Sequence, residues 1–592
     1  MEGCGQRTCE DGVRLNSVKY SWQIQTLSDE QQAVRDRLAE QLHIAPIAAG
    51  LLVRRGITTP EAASAFVHPS LDQLHDPMLM LGMREAEARL TKAVEQGEKI
   101  LIYGDYDVDG TTAVALMYRF LSTFYTNIDY YIPDRYTEGY GISFRGVDYA
   151  QEQGCTLIIA LDCGIKSADK VAYALQRGID FIICDHHMPG GETPQAVAVL
   201  DSKQADDPYP FKDLSGCGVG FKLAQAYAQT HKLSFETYLT PLLELLAMSI
   251  ASDIVPLVGE NRVLAYFGIR QINMHPSVGL QGLLKMTGWE GQPVNISDLV
   301  YRIGPRLNAC GRIKSGRAAV ELLISNDATV ATEIAQTIEA FNSERKEKDE
   351  TITQEALHQL EADPEHPNKH TNVAYGATWH RGVLGIVASR LTETYYRPTI
   401  VLADTDDGLI AGSARSVGGF DIYSAIDSCR DLLTNFGGHV FAAGLSMLPQ
   451  NLPEFKRRFE EYVAAHITDE QQVPVLRVEE ELQLQNINKQ FYNVLRHMEP
   501  FGPDNPHPKF VTRGLINNRY TKRVGKTGEH LRLDLTDRSV AITGIAFGMG
   551  DMAMYIQNGN AVDVCYSLEQ NTYNGITSLQ MKVEDIVPAE KP

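Results

Sequence analysis

Between residues 99 and 200 the chain repeats one pattern: a short apolar run, an aspartate, then a segment of helical length and period. The apolar runs lie at 99–103, 128–132, 157–161, 180–184 and 197–200, and helical periodicity marks 112–124, 144–153 and 168–177. Runs with no polar face predict strands buried on both sides, and their alternation with helices predicts right-handed crossovers in a parallel sheet. The aspartates that follow the runs are Asp105, Asp134, Asp162, Asp185 and Asp201. All carboxyl ends of such strands share one sheet edge, where open α/β sheets bind their ligands.

The first strand end, KILIYGDYDVDG, places Asp105, Asp107 and Asp109 at alternate positions, so on extended backbone they share a face. Converging carboxylates repel one another unless a multivalent cation neutralises them. The fourth strand end adds His186 and His187 directly after Asp185. Singly, an aspartate after a strand is equally a helix cap or a turn former, and a His-His pair is often plain surface or core. Their conjunction at one edge points to a metal site. Asp253 sits inside the apolar stretch LLELLAMSIASDIVPL, either as a helix cap or as a further ligand, and burial without a partner would be costly. Carboxylates with imidazole and no thiolate suit Mn²⁺ or Mg²⁺. Asp105, Asp107, Asp109, Asp162, His186 and Asp253 exceed the needs of one ion, so two are expected, the arrangement that hydrolyses phosphodiesters or phosphoanhydrides.

The successive segments YGDYDVDGTT, IPDRYTEGYG, ALDCGI, CDHHMPGG and ASDIVPL resemble the motifs of the DHH phosphoesterase superfamily. RIGPRLNACGRI, HRGVLGIVASRL, GSARS, NFGGHVFAAGLS and EPFGPDNPHPKF extend the likeness, from about residue 80 to the end, to the RecJ exonucleases within it. The resemblance implies a 5′-to-3′ exonuclease on single-stranded DNA that releases mononucleotides in DNA repair and recombination. It implies the six ligands above around two Mn²⁺ or Mg²⁺ ions, with Asp105 and His187 as catalytic groups, His187 touching the scissile phosphate or orienting a ligand. It further implies that Arg135, Arg306, Arg312, Ser413, Arg415, Gly437, Gly438 and His439 grip DNA with a 5′ phosphate, in a channel too narrow for duplex. A helicase or a single-strand-binding protein is the implied protein partner. In one departure, Tyr103 stands where many DHH enzymes carry His; if that His is a ligand, one metal must lean on Asp105 or on water.

The remaining pattern completes an α/β architecture. Residues 1–75 read as an N-terminal extension, 76–325 as the DHH domain with a basic loop, and 326–365 as a connecting helix polar around most of its circumference, bridging through solvent. Residues 366–470 read as a second α/β unit, with strands at 373–375, 399–403 and 409–411 and helices at 383–395 and 422–433; it resembles the DHHA1 substrate-binding domain. Residues 471–592 lose the alternation. Five short apolar runs, at 509–515, 530–535, 540–547, 561–567 and 579–586, predict an OB-like barrel, a common single-strand binder. Tyr520, Lys522, Arg523 and Lys526 form a basic, aromatic cluster there, either DNA contact or ordinary surface.

Composition changes this picture in three respects. The net charge of −21 excludes a protein that coats nucleic acid by bulk attraction, but screening leaves room for local binding. Residues 301–320 carry Arg302, Arg306, Arg312, Lys314 and Arg317 with no acidic residue, and their glycines and Pro305 suggest a loop open to phosphate rather than a solvated face. The nine cysteines lack paired spacing, and no run is long enough to span a bilayer, as expected of a bacterial cytoplasmic enzyme with reduced thiols; Cys4 and Cys9 are assigned no role. Two rivals remain. A small-substrate hydrolase of this superfamily would have little use for the barrel, and a non-catalytic relative would have lost ligands.

Overall fold

The computed structural model describes residues 20–573 and 576–589, so Cys4 and Cys9 lie outside the described residues. The chain divides into two compact units, residues 68–347 with 499–506, and the described parts of 1–67, 348–498 and 507–592.

In the first unit, strands β1 (Ile100–Gly104), β2 (Ile128–Tyr131), β3 (Leu157–Leu161), β4 (Asp180–Cys184) and β5 (Ala198–Leu200) form one sheet in the order β2-β1-β3-β4-β5. Every pairing is parallel. The runs that lacked a polar face, β1 and β3, are buried at every residue. Helices α1 (Met83–Gln96), α2 (Val108–Ser122), α3 (Gly216–Thr230) and α4 (Leu243–Asp253) contribute to the core cluster that includes Ile100, Ile102 and Leu161. Asp107 caps α2 by accepting the Gly110 N–H, so α2 begins where β1 has just ended.

Residues 301–320 are helical apart from a short turn at 314–316. A π-helical turn, Leu299–Ile303, leads into α5 (Gly304–Ile313), and α6 (Arg317–Ile324) follows. Pro305 falls in the first turn of α5, where a proline costs no hydrogen bond, so it starts the helix rather than breaking it.

The connecting helix, α7 (Ala328–Glu361), is not polar all round. Ala331, Ala335 and Ile338 are buried in the first unit's core, whereas Ile352, Ala356 and Leu360 are buried in the second unit's. Each half thus buries its own stripe at a spacing of three or four residues.

In the second unit, β6 (Asn372–Tyr375), α8 (Leu384–Tyr395), β7 (Thr399–Asp404), β8 (Ile410–Arg415), β9 (Leu433–His439) and β10 (Ala442–Met447) build a mixed sheet in the order β9-β10-β8-β7-β6. The helix expected to reach residue 433 stops at Asp427, because Leu433 already pairs with Met447 in the β9–β10 hairpin. Beyond it, β11 (Phe510–Asn517), β12 (Lys522–Val524), β13 (His530–Thr536), β14 (Ala541–Ala546), β15 (Val562–Tyr573) and β16 (Ile576–Pro588) supply the barrel. Its order is β11-β15-β16-β14-β13, closed by β13 pairing back to β11 at Ile516 and Thr536, and closure removes the exposed edges. The extension 20–67 is integral to this unit: Ser21–Ile24 pairs in parallel with Val475–Val478, and Arg55 meets Glu479 at 2.9 Å.

Candidate metal centre

The end of β3, the first turn of α2 and the last residue of α4 converge on His186, which follows β4. Its Nε2 lies 3.2 Å from Asp162 Oδ1, 3.6 Å from Asp253 Oδ2 and 3.7 Å from Asp109 Oδ2. Two overlapping donor groups result, Asp162 with His186 and His187, and Asp109 with His186 and Asp253. Asp162 Oδ1 and both ring nitrogens of His186 are buried without any hydrogen-bond partner. Orphaned acceptors at such spacing are costly unless an ion occupies the space between them. The donor set of carboxylates and imidazole, free of thiolate, fits a hard divalent cation.

Asp109 is held by the start of α3. Its Oδ2 accepts the Gly216 N–H at 2.7 Å, and its Oδ1 accepts the Cys217 N–H at 2.9 Å and the Ser249 hydroxyl at 2.6 Å. That approach requires a glycine, because a Cβ on Gly216 would lie 2.5 Å from the Cβ of Asp162. Asp253 is the last residue of α4, the end of the helix dipole that disfavours a carboxylate, so a capping role does not explain it. Ile254 follows at φ 59°, a strained conformation for a β-branched residue, with its side chain 72 % exposed.

His187 is oriented from both sides, with Nδ1 2.7 Å from Asp185 Oδ1 and Nε2 3.0 Å from the Tyr140 hydroxyl. Asp185 also accepts the N–H groups of Ile165, His186 and His187. Burial opposes ionisation of Asp185, yet the His187 contact and these donors hold its carboxyl down at about 2. The cluster carboxylates behave oppositely. Burial, with Asp109 and Asp107 nearby, pushes Asp253 up to about 9, and burial with the Asp107 charge pushes Asp105 up to about 8. Asp162 rises well above the usual range, through burial first and then its carboxylate neighbours. Burial lowers His186, which favours the neutral, ligating imidazole.

The expected ligands are therefore brought together only in part. Asp105 lies outside both donor groups; its Oδ1 accepts the Gly141 N–H at 3.1 Å, and its Oδ2 is an orphan. Asp107 also lies outside them as the α2 cap. Asp134 is a turn former, its Oδ1 accepting from Tyr136 and Thr137. Tyr103 is a core residue whose hydroxyl donates to the Gly141 carbonyl at 3.0 Å. Sequence reasoning assigned nothing to Tyr140, Gly216 or Ser249. Tyr140 lies within the motif IPDRYTEGYG and Ser249 within the apolar stretch that carries Asp253, while Gly216 has no local signal.

Among the DNA-gripping candidates, Arg135 stacks over Tyr106 at 4.9 Å. Arg306 is held by Glu339 at 2.5 Å and Arg317 by Glu321 at 2.8 Å, so the segment that lacks acids in sequence gains them from α7 and α6 in space. The Arg312 carbonyl accepts the Tyr136 hydroxyl. Ser413 and Arg415 lie on β8, facing Gly385 of α8: a Cβ there would be 2.7 Å from Arg415 Nη2 and 3.5 Å from Ser413 Oγ. Burial lowers the Arg415 guanidinium's pKa, and among the described residues no carboxylate pairs with it. Gly437, Gly438 and His439 form the exposed end of β9, where Gly438 has φ 154° and a Cβ on it would lie 2.4 Å from the Ala442 carbonyl oxygen.

Comparison with known proteins agrees with this architecture. Family models match at residues 99–250 (DHH family, N-terminal domain), 368–465 (DHHA1 domain) and 478–585 (RecJ OB domain). The single-stranded-DNA-specific exonuclease RecJ of Bacillus subtilis is 36% identical over 97% of this chain and 71% of its own length. The crystal structure of RecJ from Thermus thermophilus in complex with Mn²⁺ superposes with a TM-score of 0.82 at 29% identity, covering 96% of this chain and 80% of that one. The corresponding Mg²⁺ complex gives 0.77 at 28% identity, covering 96% and 79%. With three matched domains in order and a relative above thirty per cent identity along nearly the whole of this sequence, the chain belongs to the RecJ family of single-stranded-DNA-specific exonucleases.

Proposed function

We propose that the protein is a metal-dependent exonuclease that degrades single-stranded DNA from its 5′ end to mononucleotides, as part of DNA repair and recombination in the bacterial cytoplasm. The observation that carries this reading is the position of His186 Nε2, within 3.7 Å of three carboxylates on different elements, one of them with an orphaned oxygen. Asp109, Asp162, His186 and Asp253 would hold divalent cations, with Asp107 and Asp105 supplying adjacent negative charge. Such ions lower the pKa of a bound water and offset charge on the leaving oxygen of a phosphodiester. His187, braced by Asp185 and Tyr140, would touch the scissile phosphate.

Ser413 and Arg415 are assigned to the 5′ phosphate, because a desolvated guanidinium without a carboxylate partner is completed by an anion. Arg135, Arg312, Gly437, Gly438 and His439 are assigned to the strand backbone; Arg306 would have to leave Glu339 to join them. The domain bounds proposed from the sequence, 76–325, 366–470 and 471–592, enclose the family-model matches. A helicase or single-strand-binding protein as partner is part of the same reading.

The test offers the purified chain single-stranded DNA labelled at each end, duplex DNA and pyrophosphate, with Mn²⁺. Early mononucleotide release from the 5′ label alone is expected. Release from the 3′ label, or preference for pyrophosphate, would overturn the reading.

A further inference from the structure

Part of the motif EPFGPDNPHPKF is built into the first unit: residues 499–506 belong to it, although 498 and 507 on either side belong to the second. The loop is closed on itself. The Gly502 N–H donates to the Asn505 carbonyl at 2.9 Å and the Asn505 N–H to the Gly502 carbonyl at 3.1 Å, while the buried Asn505 side chain donates to the Pro500 carbonyl at 2.8 Å. Its outward contacts fall on the stretch that follows Asp253. The Leu257 N–H donates to the Pro503 carbonyl at 2.7 Å, and Arg262 Nη2 donates to the Glu499 carbonyl at 2.8 Å. Gly502 lies so close that a Cβ on it would be 3.1 Å from Leu257 Cδ2.

That stretch needs holding. Three donors fix the carboxylate of Asp109, whereas the carboxylate of Asp253 meets His186 Nε2 at 3.6 Å and, among the described residues, accepts no hydrogen bond. Its aim therefore depends on the backbone that carries it. This backbone turns at Ile254, φ 59°, and a β-branched residue keeps such a conformation only where its surroundings enforce it. The exposed Ile254 side chain is not the anchor. The anchors lie further along: Val255 and Leu257 are buried, Pro503 takes the Leu257 N–H, and Asn261 Nδ2 donates to the Pro256 carbonyl at 3.0 Å.

We propose that residues 499–506 are a positioning loop for Asp253. By gripping Leu257 through the Pro503 carbonyl, the loop holds the strained turn at Ile254 and so aims the carboxylate into the space it shares with Asp109 and His186. This rests on the function proposed above, in which Asp253 is a ligand, and adds a support from outside the donor groups. Supports of that kind change metal affinity by about ten- to a hundredfold when they are removed.

The experiment measures Mn²⁺ binding to the full-length chain without DNA, from the electron paramagnetic resonance signal of the free ion, together with urea midpoints. Gly502→Ala presses on Leu257 without removing a side-chain hydrogen bond, and Asn505→Ala opens the loop. Each is expected to weaken Mn²⁺ binding by about tenfold, and Asp253→Asn by at least as much. Added to Asp253→Asn, neither should cost more than about a further twofold, because a support has no effect once its ligand is gone. Arg89→Met, which breaks ion pairs to Glu98 and Asp180 at the opposite edge of the sheet, should lower the urea midpoint and leave Mn²⁺ affinity per folded molecule unchanged. Wild-type Mn²⁺ affinity in the folded loop variants, an undiminished further loss in the Asp253→Asn background, or an equal loss in Arg89→Met would overturn the loop's role. Should Asn505→Ala fail to fold, Gly502→Ala decides. Wild-type Mn²⁺ affinity in Asp253→Asn, or no Mn²⁺ binding by the wild-type chain, would instead overturn the metal centre on which the proposal rests.

Discussion

The sheet edge around Asp162 and the end of β8 at Arg415 carry opposite charge, and among the described residues neither is closed by an ion pair with a side chain of fixed opposite charge, Lys or Arg at the first and Asp or Glu at the second. At the first, burial and then neighbouring carboxylates push Asp253 up to about 9; at the second, among the described residues, a desolvated guanidinium donates only to the carbonyl of its own neighbour, Ala414. A buried ion pair elsewhere in the same chain is completed. Lys222 and Glu260 meet at 2.6 Å with both side chains buried, and Tyr209 and the His75 N–H also donate to Glu260. The protein can satisfy buried charge; where it does not, the proposed function assigns the missing partner to a cation at one place and to a phosphate at the other.

Altering the acidic cluster puts this contrast under the greatest strain. Asp162→Asn and His186→Ala should each lower hydrolysis of single-stranded DNA by about a thousandfold or more, because cations and the water they activate are lost. The metal-free Asp162→Asn protein should be no less stable than wild type, since one buried like charge has gone. Urea titration together with end-labelled digestion checks both halves, and destabilisation by Asp162→Asn would show that the carboxylate is structural.

The completed pair should respond in the opposite sense. Lys222→Met leaves Glu260 buried with neutral donors only and should cost about 3–5 kcal/mol of stability, while residual folded protein keeps its turnover. Denaturant midpoints and specific activity per folded molecule separate these effects.

A smaller effect is expected at the cationic site. Arg415→Ala should slow digestion of 5′-phosphorylated strands by about ten- to a hundredfold and that of 5′-hydroxyl strands much less, since only the former loses a charge-assisted contact. Equal slowing of the two would remove the anion site from the comparison.

The mildest test concerns the support of Asp109. Ser249→Ala removes one of its three hydrogen-bond donors but leaves the two N–H groups of α3, so activity should fall by about tenfold and the apparent affinity for Mn²⁺ should weaken with it. Activity equal to wild type at limiting Mn²⁺ would mean that α3 alone positions the carboxylate.

The acidic cluster and the basic segment also differ in how far they could be read from sequence. Asp105, Asp107, Asp109, Asp162, Asp185 and His186 were visible because strand periodicity alone sends strand ends to one edge. Residues 301–320 were misread because glycine, proline and unopposed arginines look alike at a loop and at the start of a helix, and because Glu339, which neutralises Arg306, is thirty-three positions away. The buried stripes of α7 escaped notice for a related reason. Each is short, and each belongs to a different core.

Local periodicity and contiguous motifs are enough to specify the parallel sheet, the five barrel strands, the family and the acidic character of the centre. Which carboxylates meet is settled by packing in three dimensions. Asp105 and Asp107 stand in the same motif as Asp109, yet one oxygen of each is taken by the N–H of Gly141 or Gly110 and neither joins a donor group with His186, while Asp253 and His186 arrive from a distant helix and strand. The packing around β8 likewise leaves Arg415, among the described residues, without a carboxylate. Hydrogen-bond geometry and cross-strand register act over a few ångströms in space between residues far apart in the chain, and one-dimensional patterning carries no record of them.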